Sequence, residues 1–351
     1  MQNHVKTAIL CILLFLFGSI LFYSNILIYP ILCNNENYIL DIPKDSSASD
    51  AGKVLNNNGC INSTIFKMGV YSTFNQKNIK PGLYSLKGIR TLRELIKLIT
   101  SVSKDRVRIT LFEGWNIYDI TNSLSSKLNI NEEKMIKLCY DKNFIKSLGI
   151  NYDVNSLEGF LYPDTYILLK TYNEKDILSI FTKRFMDVYN SEIYSISKES
   201  NLDVLEIITL ASIIQGEAML IQEMPKISSV YHNRLNKRMK LEADPTILYF
   251  MTRDDLRIFK NDPNRSKSVQ IFRKYKNVKN KYNTYLNIGL PYGPINNPGL
   301  NALKATLFPE KTSKEYLYFV ADGSGGHIFS ENLNQHKLAI RKIRNGQKIT
   351  K

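Results

Sequence analysis

"LEIITLASIIQGEAML", residues Leu205–Leu220, is largely apolar until Gln215 and Glu217 arrive near its end. Wound as a helix at about 100° per residue, Glu217 lies roughly 40° from Ile213, 60° from Ile214 and 20° from Leu210. It shares the apolar stripe, whereas Gln215 faces the other side. A glutamate is almost never fully buried without a partner. One removed from water resists ionisation, so its pKa rises toward the range useful for a general acid. The stretch also reads as a helix that simply ends, with Gly216 opening an exit turn and Glu217 reaching water. Glu206, on the same stripe at the other end, shows how ordinary a helix-end glutamate is. The segment alone leaves both readings open. The periodicity stays helical from Tyr166 to about Met251, so the stretch marks the middle of a mainly helical region.

The 351 residues have room for two or three domains, and the apolar and aromatic content is that of a globular chain. Lys and Arg number 47 against 32 Asp and Glu, a net charge of +15. That charge favours an anionic partner such as nucleic acid, a membrane surface or a carboxylate-bearing polymer. Codon drift toward Lys, Asn, Ile and Tyr accounts for it equally well. Ala8–Leu32, "AILCILLFLFGSILFYSNILIYPIL", carries no charge. About 20 apolar residues cross a bilayer, so this is a transmembrane helix candidate rather than a signal peptide. Lys6 precedes the span, which favours an inside N-terminus and an outward-facing remainder, at the inner (plasma) membrane. An outward location excludes nucleic acid as a partner. Cys60 and Cys139 are isolated, and one bridge between them is possible in an oxidising space. The four histidines show no metal-binding spacing and no glycine loop cradles phosphate, so neither metal nor cofactor is expected.

Tyr38–Ile61 reads as a strand, a polar turn and a short helix, and Val107–Ile130 repeats the pattern 69 residues later. Ile42 aligns with Leu111, Asp50 with Asp119, and Leu55 with Leu124. The break at Pro163-Asp164 in "LEGFLYPDTYIL" places a domain junction near residues 155–165. The expected fold is α+β: a tip and transmembrane anchor over 1–35, an α/β region with two strand–helix units over 36–155, and a mixed, mainly helical domain with a small β element over 156–351. Ser200-x-x-Asp203 is a candidate cap for the helix carrying Glu217, Pro225 opens the next helix, and Asp244-Pro245 reads as a cap followed by proline. Arg253–Lys281, with ten Lys and Arg against three Asp, reads as a solvated loop or as a contact for acidic polymer or lipid headgroups. "YNTYLNIGLPYGPINNPGLNALKAT" (Tyr282–Thr306) offers the aromatic faces and amides that sugars stack on and bond to.

Taken together, "LEGFLYPDTY", "LASIIQGEA", "HNRLNKRMKLEADPTILY", "YNTYLNIGLPYGPINNPG" and "YLYFVADGSGGHIFSENLNQH" resemble, in order, the motifs of the YceG-like endolytic murein transglycosylases, the MltG family. The resemblance covers essentially the whole chain after the anchor, and the strand–helix units fit the LysM-like part of that architecture. It implies a lyase that cuts peptidoglycan glycan strands between N-acetylmuramic acid and N-acetylglucosamine, leaving 1,6-anhydromuramoyl ends, with peptidoglycan synthases as partners. It places the catalytic carboxyl on Glu217, and Asp244, Tyr282, Asn283, Tyr285 and Asn297 become candidate substrate-positioning residues. One carboxyl serves as acid and then as base, unlike the carboxylate pair of most glycosidases. The chain departs from the family at Gln215, where glutamate is common, at Gly216, where lysine is common, at Glu242-Ala243 and at Tyr292. Two other functions fit the residues: a hydrolytic muramidase, which needs a base to position water, and a non-catalytic peptidoglycan-binding scaffold.

Overall fold

The computed structural model describes residue 18 and residues 24–34, 38–43, 46–100, 106–263 and 265–346. The anticipated span, Ala8–Leu32, falls largely outside the described residues. Among the described residues no helix is long and apolar enough to cross a membrane. The chain divides into two compact units, Met1–Ile109 with Tyr166–Ile180 and Thr110–Thr165 with Phe181–Lys351. The division differs from the boundary expected near residue 155, because the chain enters the second unit at Thr110 and revisits the first before staying in the second.

In the first unit, strand β1 (Ile39–Ile42), helices α1 (Ala48–Asn57) and α2 (Ser63–Ser72), strand β2 (Gly82–Ser85) and helix α3 (Leu92–Thr100) follow in order. β1 and β2 pair antiparallel, with Ile39 opposite Ser85 and Ile42 opposite Gly82. Their inward side chains join Leu55, Phe66, Val70, Leu92 and Leu95 in one core. Ser47 starts α1 with a capping box: its hydroxyl accepts from the Asp50 N–H while the Asp50 carboxylate accepts from the Ser47 N–H. The disulfide joins Cys33 to Cys60, not Cys60 to Cys139. Cys139 is a free, buried thiol of the other unit, and burial holds that thiol protonated.

Strand β3 (Arg106–Thr110) leads into α4 (Ile117–Ser125), α5 (Glu132–Cys139) and α6 (Lys142–Ser147); strand β4 (Thr165–Leu169), which pairs with β3, precedes α7 (Glu174–Val188). α4 repeats the α1 device, a capping box made by Asn116 and Asp119. The sequence match of Asp50 with Asp119 is therefore one physical motif used twice, and Leu55 and Leu124 are both fully buried. The two copies lie in different compact units.

The second unit is built around α8 (Val204–Glu217). Every residue from Ile207 to Ile214 is buried, so the helix is apolar all round rather than striped, as a central helix must be. It packs on α9 (Met224–Asn236), α10 (Asp244–Tyr249) and α13 (Leu300–Leu307). Asp203, not Ser200, is its cap: the Asp203 carboxylate accepts from the Glu206 N–H at 2.8 Å, and Glu206 accepts from the Asp203 N–H at 2.9 Å. Buried Ser212 accepts from the Ile295 N–H at 3.0 Å, and its carbonyl accepts from Asn296 Nδ2 at 2.8 Å. These bonds hold the Gly-Pro-rich segment onto the helix.

The basic stretch expected as a loop is instead a pair of helices, α11 (Arg253–Asn261) and α12 (Ser266–Lys276). Ile247, Met251 and Tyr275 are buried there beneath Leu256, Phe259, Ile271 and Phe272, enough apolar side chain to fold a stretch whose charges dominate its composition. Last come β5 (Tyr318–Ala321), β6 (His327–Ser330) and α14 (Leu333–Arg344). β5 and β6 form an antiparallel hairpin. At its turn the Asp322 carboxylate accepts from the Ser324 and Gly326 N–H groups, and Gly323 and Gly325 take the left-handed φ values of +84° and +95° that favour glycine.

Candidate active site

Glu217 is the last residue of α8. Its residue surface is only partly covered, yet its carboxyl lies at the floor of a cleft of about 480 Å³ in the second unit. Tyr231 of α9, itself buried, donates its hydroxyl to Glu217 Oε1 at 2.8 Å, and the Asp244 N–H at the start of α10 also donates to the carboxyl. Three effects favour the neutral acid. Removal from water is the largest, the nearby Asp244 charge is the second, and the negative end of the α8 dipole adds to both. Burial and the Asp244 charge push the Glu217 pKa up to about 8, against the opposing pull of the Tyr231 and Asp244 hydrogen bonds and the Arg234 charge.

Asp244 does not cap α10. Ala243 occupies that position with no side-chain cap, and Asp244 and Pro245 are the first helical residues. The Asp244 carboxyl is thereby free to accept the Tyr285 hydroxyl. Although Asp244 has exposed surface at the cleft mouth, partial burial of its carboxyl raises its pKa, opposed by the Tyr285 bond and Lys276. Lys276 Nζ sits 4.0 Å from the Tyr285 ring centroid.

The cleft walls come from α9, the segment before α10, and the β5–β6 hairpin. Arg234, one turn after Tyr231, donates to the carbonyls of Leu317 at 2.7 Å and Leu241 at 2.8 Å. It also pairs with Glu242 at 3.6 Å and lies 5.0 Å from the centre of the Tyr318 ring. One buried guanidinium thus ties three walls together. His327 at the start of β6 is held by Glu223 through its ring Nδ1 at 2.8 Å and its backbone N–H at 3.1 Å. Phe319 packs edge-on against Tyr231 and His327. The turn and helix that follow α8 are therefore pinned to the hairpin across the cleft.

Of the residues singled out in the sequence, Glu217, Asp244 and Tyr285 come together in this cleft. Asn283 and Asn297 do not reach it. Asn283 is fully buried, its amide donating to the Lys276 and Val278 carbonyls and accepting from the Tyr285 N–H. Asn297 donates to the Trp115 carbonyl and to Glu158, and accepts from the Leu161 N–H. Both amides are used up on backbone that would otherwise be unsatisfied. Tyr282 lies against Tyr249 and Tyr292, outside the residues lining the cleft. Gln215 accepts from the Gly299 N–H at 3.1 Å, on the side of α8 away from Glu217's partners.

Tyr231, Arg234 and His327 were missed by sequence reasoning. The only signal for the first two was their helical phase, three residues apart on a helix already marked by Pro225. A second carboxyl, Glu158 of "LEGFLYPDTY", is also pushed up to about 8, mainly by burial. Both of its oxygens accept from the Ile117 N–H, it accepts from Asn297 and Tyr249, and it is not among the cleft-lining residues. It holds loops together.

Comparison with known proteins matches this architecture. The model of the YceG-like family matches residues 40–342. An endolytic murein transglycosylase of Bacillus subtilis is 28% identical over 347 residues, covering 93% of this chain and 90% of that protein. One from Streptococcus pneumoniae is 26% identical, with 94% of this chain spanning 64% of the longer relative. The crystal structure of a yceG-like protein from Listeria monocytogenes superposes with a TM-score of 0.55 at 28% identity, over 86% of this chain and 98% of that one. With the family's match running from β1 into α14, the chain belongs to the YceG-like family.

Proposed function

We propose that the chain is a membrane-anchored peptidoglycan lytic transglycosylase, with Glu217 as its single acid and base. The carrying observation is a glutamic acid held protonated near neutral pH at the floor of a cleft, in a chain whose relatives are named endolytic murein transglycosylases. The protonated carboxyl gives its proton to the glycosidic oxygen as the muramoyl C1–O bond breaks. The carboxylate left behind takes the proton of the muramoyl C6 hydroxyl as that oxygen closes on C1. The 1,6-anhydro ring forms, Glu217 is protonated again, and no water is consumed. Tyr231 holds one carboxyl oxygen through both steps, and burial keeps its own hydroxyl protonated. The cleft volume lies within the usual range for small-ligand sites.

The outward, inner-membrane location rests on the uncharged stretch Ala8–Leu32 and is supported by the Cys33–Cys60 disulfide, which belongs to an oxidising compartment. A tether on the same chain would confine cutting to glycan near the membrane, where nascent strands and their synthases lie. Termination of nascent strands is the role that follows. The β–α–α–β order of Ile39–Ser85 fits a LysM-like module. One observation favours a second reading. Asp244 beside Glu217 offers a carboxylate that a hydrolytic muramidase would use to position water. Digestion of purified peptidoglycan by detergent-solubilised protein tests the enzyme itself: wild type is expected to release fragments and Glu217→Gln none. Equal release by both would remove Glu217 from the chemistry. Binding without release by either would make the protein a scaffold.

A further inference from the structure

A second cavity of about 620 Å³ opens from the same Asp244 that borders the Glu217 cleft. Its walls come from α11 and α12. Phe259 and Phe272 supply an apolar floor, and Lys260, Arg265, Arg273 and Lys276 ring it. Among the described residues none of these four cations makes a close ion pair, although Lys276 acts on the Asp244 charge and lies over the Tyr285 ring, whereas their neighbours Lys274 and Arg257 pair with Asp255 and Asp254. Of the two carboxylates in the wall, Asp262 accepts from the Ser268 N–H and hydroxyl, and Asp244 accepts from Tyr285. The groove is therefore a cationic, half-apolar trough too large for a single ion, and it shares the Asp244 wall with the acid's cleft.

Resting on the transglycosylase reading, we infer that this groove binds the stem peptide of the muramoyl residue being cut, its carboxylates against the four cations and its small apolar side chains on Phe259 and Phe272. The chemistry of the substrate requires a neighbour of this kind. The stem leaves the muramoyl ring at C3, two carbons from the C1 that Glu217 acts on, so a strand seated in the cleft must send its peptide into an adjoining space. The acidic partner that the chain's +15 charge favours is then part of the substrate itself.

The test compares glycan strands carrying intact stem peptides with strands stripped of them by an amidase, cut by the full chain in detergent. Wild type is expected to cut the peptide-bearing strands with a kcat/KM about tenfold higher, the size two partly exposed ion pairs supply. Lys260→Glu with Arg273→Glu is expected to abolish the preference, mainly through KM. The neutral pair Lys260→Gln with Arg273→Gln should fall between. A role in folding alone would lower both substrates equally and leave the ratio intact, which would overturn the assignment. Equal cutting of both substrates by wild type would overturn it too while leaving the transglycosylase reading in place. Failure to cut either would overturn both. Stripped strands ending in a lipid pyrophosphate form a further arm. If they recover the preference and lose it in the charge-reversed variant, the groove belongs to the pyrophosphate and not to the peptide.

Discussion

Tyr231→Phe isolates the hydrogen bond that sets the acid strength of Glu217. The hydroxyl donates to Oε1 at 2.8 Å and stabilises the carboxylate more than the neutral acid, so it lowers a pKa that burial has raised to about 8. A hydrogen bond to a charged group contributes about 1.5–3 kcal/mol, and about 1.4 kcal/mol is one pKa unit. Loss of the bond should therefore raise the Glu217 pKa by roughly one to two units. The other charged or titratable groups lining the cleft, Arg234, Glu242, Asp244, Tyr285, Tyr318, His327 and His336, are unchanged. The first step needs the protonated form, so kcat/KM falls as pH rises through the Glu217 pKa. In wild type that alkaline limb should lie near pH 8, and in Tyr231→Phe it should move upward by one to two units while the plateau drops, because a weaker acid protonates the leaving oxygen less well. The assay is the pH dependence of the initial rate of fragment release from peptidoglycan. The phenyl ring keeps its packing against Phe319, so the fold should persist. An alkaline limb that stays in place would refute the claim that it reports Glu217, and a downward shift would reverse the sign of the argument.

Three further outcomes follow from the same contacts. Because the folded pKa of Glu217 is raised above the unfolded 4.5, its contribution to stability is complete below pH 4.5 and is lost as pH rises through about 8. Glu217→Gln removes that loss, so at pH 9 thermal unfolding should show the variant more stable than wild type relative to their difference at pH 5. The gain should be about 1–2 kcal/mol, since the open cleft lets water screen the charge; the opposite trend would contradict the assigned pKa shift. Arg234→Ala removes the donor of the buried Leu241 carbonyl and of the partly buried Leu317 carbonyl, and should cost about 3–5 kcal/mol in denaturant unfolding. A cost below 1 kcal/mol would mean that the three walls do not depend on this guanidinium. Cys60→Ser opens a loop whose ends lie 27 residues apart, which chain entropy values at about 3.5 kcal/mol. It should lower the melting of the first unit, followed by proteolysis, and leave the alkaline limb of activity where it was.

The α+β class, the helix over Leu205–Glu217 and the strand–helix order at Ile39–Asn57 and Arg106–Ser125 were legible because each rests on local pattern: apolar periodicity, caps and turns. Asp50 and Asp119 align in the sequence because both close a capping box. What the pattern hid was whatever depends on contacts distant in sequence. A stripe on one face describes α8 poorly, since α9, α10 and α13 surround it, and no periodicity distinguishes a helix buried on one side from one buried on all. Asn283 and Asn297 belong to a segment with the composition of a sugar site, yet amides suited to hydroxyls serve buried backbone equally well. Arg253–Lys281 looked solvated because ten Lys and Arg outweigh a few aromatics in composition, although Phe259, Phe272 and Tyr275 close a small core. Gly216 is a departure whose reason appears only in three dimensions. A Cβ there would lie 2.8 Å from Pro245, in the helix that presents Asp244 to the acid, so in this chain the larger residue common in the family does not fit without moving α10.

The measurement that reaches the centre of the account is digestion of peptidoglycan in oxygen-18 water, with the cut ends analysed by mass spectrometry. With Glu217 as both acid and base, and the C6 hydroxyl as the attacking group, the muramoyl ends should be one water lighter than reducing ends and carry no label. Labelled reducing ends would contradict the account. They would show that water attacks C1, and would point to Asp244 as the group that activates it.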